Sequence, residues 1–115
     1  MNPSVNQFSE LTWSDLILWA GKKTVQEGQK CQQGSNVKQL ALTESGGILA
    51  WVEAEEIFST RVEYNADEIT TDCSCNSAEH ACAHAIAVII EYIAHLKRNI
   101  SIPDAEKNDR RLFLL

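Results

Sequence analysis

No stretch of this chain approaches the roughly 18 consecutive apolar residues that a membrane-spanning helix requires, although 44% of its residues are hydrophobic. Residues 1–10 are polar and have no apolar h-region, so no secretory signal is expected. Basic residues are in short supply: 10 Lys and Arg stand against 16 Asp and Glu, a formal charge of −6. Such a domain does not attract phosphate backbones through its overall field, so any nucleic-acid contact would need a local basic patch. There is no Gly-rich phosphate loop, no Cys-x-x-Cys and no arguable Ser/His/Asp set. The sequence signs of nucleotide hydrolysis, thiol–disulfide exchange and triad chemistry are therefore missing. Internal repeats and low-complexity tracts are missing too. At 115 residues there is room for one domain with a modest core, which a metal site would help to stabilise.

What is present is concentrated in Cys73-Ser-Cys75-Asn-Ser-Ala-Glu-His80-Ala-Cys82-Ala-His84, which holds three of the 4 cysteines and two of the 3 histidines. Without a secretory address, clustered Cys and His read as metal ligands in a reducing cytosol rather than as disulfides. Cys73, Cys75, Cys82 and His84 offer three thiolates and an imidazole, a donor set suited to tetrahedral Zn2+. Ser74 and Asn76 permit the bend that lets Cys73 and Cys75 converge. Cys82 and His84 are two apart and cannot share the face of a helix. The geometry works if Cys82 stands at or just before a helix N-terminus and His84 lies in its first turn. The positive end of the helix dipole then favours the thiolates. His80 is the alternative fourth ligand; His84 is preferred because a helix start fixes its side chain. With all four positions filled by protein, no place is left for the water of a catalytic zinc, so a structural site and no enzyme are expected.

The rest of the chain reads as α+β. A first helix is predicted over residues 9–20, with Ser9, Thr12 or Ser14 as N-cap, Thr12 and Asp15 forming a capping box, and Gly21 at the C-terminal cap. Lys22 and Lys23 are expected beside its negative end. A second short helix is predicted around residues 23–31. Strands come next at 37–43, with Leu40 and Leu42 on one face, and at 48–53, joined by a turn in which Gly46 and Gly47 can take positive φ. Two more strands are predicted at 57–64 and 69–73, the last delivering Cys73 and Cys75. The strongest helical pattern runs over residues 82–98: Ile86, Ile89, Ile93 and Leu96 recur at helical spacing, and Val88, Ile90 and Tyr92 widen the arc enough to imply burial on two sides. The expected architecture is an N-terminal helix, a small antiparallel sheet of three to four strands and a C-terminal helix, with zinc joining sheet end to helix start. One domain spans 1–100 with its metal core at 69–96, and 101–115 is a tail or linker whose apolar end, Leu112–Leu115, either docks or leads elsewhere.

Other chemistry-bearing residues have plainer readings. Cys31 reads as a small packed residue, His95 as a solvated helix-end residue, and Glu53, Glu55 and Glu56 as an exposed turn. A nucleic-acid contact, if present, would come from Lys22, Lys23, Lys30, Lys38 and Arg61, with Trp51 stacking on a base. An exposed Trp13 or Trp51 and the apolar C-terminal end would instead suit a protein partner. No membrane and no small-molecule substrate are expected.

The C-x-C, spacer, C-x-H arrangement of Cys73, Cys75, Cys82 and His84 resembles the SWIM zinc-finger family, and Ala85-Ile-Ala87-Val88 resembles that family's helix start. Gly34–Val37 and Gly47–Val52 are similar to the strand block that precedes the finger in bacterial members. The resemblance covers roughly residues 25–96. It implies zinc binding by those four residues and contact with DNA or with a protein, a Swi/Snf-type ATPase among the candidate partners. It also implies a cytoplasmic accessory module with no ATPase motor of its own.

Overall fold

A computed structural model of the protein describes residue 8 and residues 11–54, 56–65, 68–75 and 82–115. The class is α+β, as the periodicities imply. Helix α1 (Trp13–Ala20) leads into α2 (Lys22–Gln33), and strands β1 (Val37–Leu42), β2 (Ile48–Glu53), β3 (Ile57–Asn65) and β4 (Glu68–Cys73) form one sheet. Helix α3 (Ala83–Lys97) and a 3-10 turn, Arg110–Phe113, complete the chain. Strand order is β1-β2-β3-β4, every pair antiparallel.

The capping box forms as the sequence predicts. The Thr12 hydroxyl accepts from the Asp15 N–H at 3.1 Å, and the Asp15 carboxylate accepts from the Thr12 N–H at 2.9 Å. Helix α1 is therefore shorter than expected and starts at Trp13; Ser14 lies within it, and Ser9 lies outside the described residues. Gly21 takes φ +93, ends α1 and at once begins α2. Lys22 and Lys23 follow the negative end of α1 as expected, and they are also the first turn of α2, next to its positive end. Both α2 and α3 end in a Schellman arrangement whose left-handed residue is not glycine: Ser35 at φ +60 and Asn99 at φ +56. In each, two N–H groups reach back to the last turn, Ser35 to Gln32 and Asn36 to Cys31, then Asn99 to Leu96 and Ile100 to His95.

One irregularity changes the facing of β1. Lys38 pairs with Trp51 and Ala41 with Leu49, so Gln39 and Leu40 together stand opposite Ala50. Gln39 takes φ +55 in this bulge. The extra residue resets the alternation, so Val37 joins Leu40 and Leu42 on the core face while Ala41 is buried on the other. In the β1–β2 turn only Gly46 takes positive φ, +85. Gly47 is needed for a different reason: a Cβ there would sit 2.5 Å from Glu63 Cγ and 2.6 Å from the Val62 carbonyl.

Helix α3 lies between the sheet and α2. Ala85, Ile86, Ala87, Val88 and Ile89 are all 0% exposed, which only burial on both sides of a helix produces. They meet Ile48, Ala50, Val52 and Val62 from the sheet, and Val25 and Leu16 from the other helices. Each fully buried aliphatic side chain contributes about 1.5–3 kcal/mol. Gly28 permits the contact between α2 and α3: a Cβ there would lie 2.5 Å from Ile86 Cβ and 2.9 Å from the Ala83 carbonyl. Gln32 Nε2 donates to Glu91 Oε1 at 2.8 Å across the same seam. No helix among the described residues is long and apolar enough to cross a membrane.

The segment after α3 returns across the sheet. The Leu42 N–H donates to the Pro103 carbonyl and the Ala105 N–H to the Leu42 carbonyl, a parallel bridge on the outer edge of β1. The 3-10 turn then packs on β2 and β3, on the face away from α3. Its anchor is not the apolar end. Phe113 is 74% exposed, whereas Arg111 is 6% exposed. The Arg111 guanidinium donates from Nε and Nη2 to the Asp109 carboxylate at 3.0 and 2.7 Å, and from Nη1 to the Gln39 carbonyl at the bulge. It lies 6.0 Å from the Trp51 ring centre.

Candidate metal centre

Strand β4 and helix α3 bring Cys73, Cys75, Cys82 and His84 together, with one ligand atom from each lying within 4.8 Å of every other. Cys82 is the N-cap residue of α3, with extended φ −109 and ψ 167, and His84 is in the first turn. That is the placement the i, i+2 spacing demanded. His80 lies outside the described residues.

The donor set can be tested against the size of an ion. With metal–sulfur bonds near 2.3 Å and metal–nitrogen bonds near 2.0–2.1 Å, a tetrahedral site puts a sulfur and a nitrogen about 3.6 Å apart. Cys73 Sγ and His84 Nδ1 stand 3.6 Å apart. The residues fit, and the four could hold a metal ion. The thiols are also electrostatically coupled. The pKa of Cys73 is pushed up to about 11, first by its hydrogen bond with Cys82 and then by burial. The same hydrogen bond holds Cys82 below the usual thiol value against the opposing effect of burial. Three thiols this close repel one another once ionised, so a cation among them would be favoured.

Three consecutive residues of β3 support the cluster, and the pattern of ligand spacing does not point to any of them. Phe58 stacks on His84, ring centres 4.5 Å apart and planes 26° from parallel. Thr60 stands directly across the ladder from Cys73, and its hydroxyl lies 3.3 Å from Cys73 Sγ. Between them, Ser59 clamps the loop that carries two ligands: its N–H donates to Ser74 Oγ at 2.9 Å, and its carbonyl accepts from the Ser74 N–H at 2.9 Å. The signal that could have found them is strand register. A hairpin in which Asn65 pairs with Glu68 must place Thr60 opposite Cys73.

The remaining candidates disperse. Cys31 packs against the core at the end of α2, and burial raises its thiol pKa, as a packed residue should show. His95 is not solvated: it is half-buried, its Nδ1 lying 3.0 Å from the Glu91 carbonyl oxygen and 3.4 Å from the Glu91 carboxylate. Glu53 and Glu56 are exposed, and Glu55 lies outside the described residues. Lys22, Lys23 and Lys30 are exposed on α2. Lys38, Trp51 and Arg61 lie instead on the sheet face away from α3, so the six do not form one patch. Arg61 is ion-paired with Asp72 at 2.7 Å. Trp51 is half-buried near Arg111, while Trp13 is exposed. Compared with protein-family models, curated proteins and solved structures, the chain matches none.

Proposed function

We propose that the protein is a non-catalytic, zinc-stapled interaction module of SWIM type, acting in the cytoplasm through contact with another protein. The observation that carries this reading is the convergence of three thiols and one imidazole within 4.8 Å of one another between the end of a sheet and the start of a helix. Zinc suits these donors better than the hard divalent cations, and four protein ligands leave it no open position for an activated water. Its role is to fix α3 against β4, so that folding and metal binding are one equilibrium. Three thiolates against one Zn2+ leave the site at about −1, adding to an already acidic domain.

That charge, the separation of the basic residues onto two faces and the neutralised Arg61 favour a protein partner over nucleic acid. The resemblance to SWIM modules makes a Swi/Snf-type ATPase the first partner to test. A second reading, DNA association, rests on one observation: Lys22, Lys23 and Lys30 are exposed on a single helix, and none is ion-paired among the described residues. Metal content and partner binding test the proposal separately. Purified protein should carry one Zn2+ per chain, Cys82→Ser should lose it and loosen α3, and retained zinc with unchanged melting would overturn the ligand set. Affinity for DNA that falls steeply with salt would favour the second reading over the first.

A further inference from the structure

The C-terminal segment and the metal cluster meet at one residue. Ser59 is 0% exposed. Its backbone holds the Cys73–Cys75 loop through the two hydrogen bonds to Ser74. Its side chain points the other way, because successive side chains of a strand alternate faces. There its hydroxyl donates to the Arg111 carbonyl at 2.8 Å. Arg111 is anchored in turn by Asp109 and by the Gln39 carbonyl at the β1 bulge. A continuous path of hydrogen bonds therefore runs from the turn at 109–112, through β3, to the loop between two metal ligands.

We infer that docking of the segment 109–115 and metal binding at the cluster are coupled through Ser59: the segment is a strap that holds the Cys73–Cys75 loop in ligand geometry. This rests on the reading of the cluster as a metal site. With the strap docked, the Ser59 hydroxyl has a fixed acceptor and the far face of β2 and β3 is covered, so the peptide groups that hold Ser74 are kept from water. With the strap released, Ser59 and Leu49, both 0% exposed in the docked state, face solvent and the loop loses its support. Linkage makes the effect reciprocal: whatever the strap adds to metal affinity, the metal adds to docking of the strap. A partner that takes up the strap would weaken metal binding, and metal loss would release the strap.

The test uses the full chain with Zn2+ against a competing chelator, and amide exchange of residues 109–115 with and without Zn2+. Ser59→Ala and Arg111→Ala should each weaken Zn2+ binding about two- to tenfold, the range expected for losing one supporting hydrogen bond. The double substitution should weaken it no further than the larger single effect, because both act on one path. Zn2+ should slow exchange in 109–115 in the native chain and not in Ser59→Ala. If Arg111→Ala fails to fold, Ser59→Ala, which removes one hydroxyl and no charge, still decides the matter. Unchanged Zn2+ affinity in Ser59→Ala, or exchange of the segment indifferent to Zn2+, overturns the coupling and leaves the metal site standing. A native chain that takes up no Zn2+ overturns both.

Discussion

Replacing Gly28 with alanine sets two effects of opposite sign against each other. Glycine inside a helix is about 1 kcal/mol worse than alanine, so helix propensity alone predicts that Gly28→Ala stabilises the protein by that amount. The tertiary structure predicts the reverse. The new methyl would stand 2.5 Å from both Cβ and Cγ2 of Ile86 and 2.9 Å from the Ala83 carbonyl. Carbon atoms pack at about 3.5–4.0 Å, so α2 and α3 must separate by roughly 1 Å. The obstacles are a Cβ and a backbone oxygen, which no rotamer change can move. Overpacking of this kind costs about 1–3 kcal/mol, here at the upper end, leaving a net loss of about 2 kcal/mol after the propensity gain. For a chain of this size that is a drop in Tm of roughly 6–12 °C. The strain also falls on the candidate metal centre, because Ala83 lies between Cys82 and His84. Urea or thermal unfolding measures the first effect, and Zn2+ competition with a chelator measures the second. A Gly28→Ala protein that melts higher than the native one, with unaltered Zn2+ affinity, would refute the packing argument outright.

Other substitutions test other parts of the structure. Phe58→Ala removes the ring stacked on His84, and Thr60→Val the hydroxyl beside Cys73; each should lower Zn2+ affinity about 10–100-fold in the same competition assay, as loss of support around a ligand does. Ser35→Gly relieves a left-handed residue at the end of α2 and should raise unfolding free energy by about 0.5–1 kcal/mol in urea melts. Docking of the C-terminal segment should fail in acid. Its hydrogen bonds with Arg111 above all hold the Asp109 carboxyl below its ordinary value. A depressed folded-state pKa contributes stability that is complete above the unfolded value, near 4, and lost as pH falls through the folded value. Limited proteolysis with an acid-active protease should therefore begin to cut residues 106–115 below about pH 4, and a protease active at neutral pH should cut the same segment in Asp109→Asn but not in the native chain.

Much of the fold could be read from local pattern. The turn residues, the alternation in β2 and β3 and the wide apolar arc of α3 are short-range properties, and each element formed within a few residues of its expected place. The errors occur where a single residue redirects its neighbours. The Gln39 bulge reversed the facing of Val37 relative to Leu40 and Leu42, and no feature of Val37–Leu42 announces it; its left-handed residue is a glutamine where glycine would be expected. Helix α2 ran past the expected end at Cys31 to Gln33, with its cap at Gly34, and Gly28 within it is a packing residue against α3. The apolar C-terminal end drew attention to Leu112–Leu115, yet the segment is held by a buried arginine, because Asp109 and Gln39 satisfy its donors.

The cluster shows the same division at the scale of one site. Spacing along the chain was enough to single out the four candidate ligands and to place the start of the helix that carries His84, because a chain bent between Cys73 and Cys75 and a helix starting at Cys82 are local matters. What surrounds those four side chains comes from contacts between distant segments. Phe58, Ser59 and Thr60 are distant in sequence from the residues they serve and reach them through the register of β3 on β4. Gly28 reaches the same place through the packing of α2 on α3, and Arg111 through the far face of the sheet. Candidate ligands are marked by short-range spacing, whereas how firmly those side chains are held depends on contacts between segments that only folding brings together.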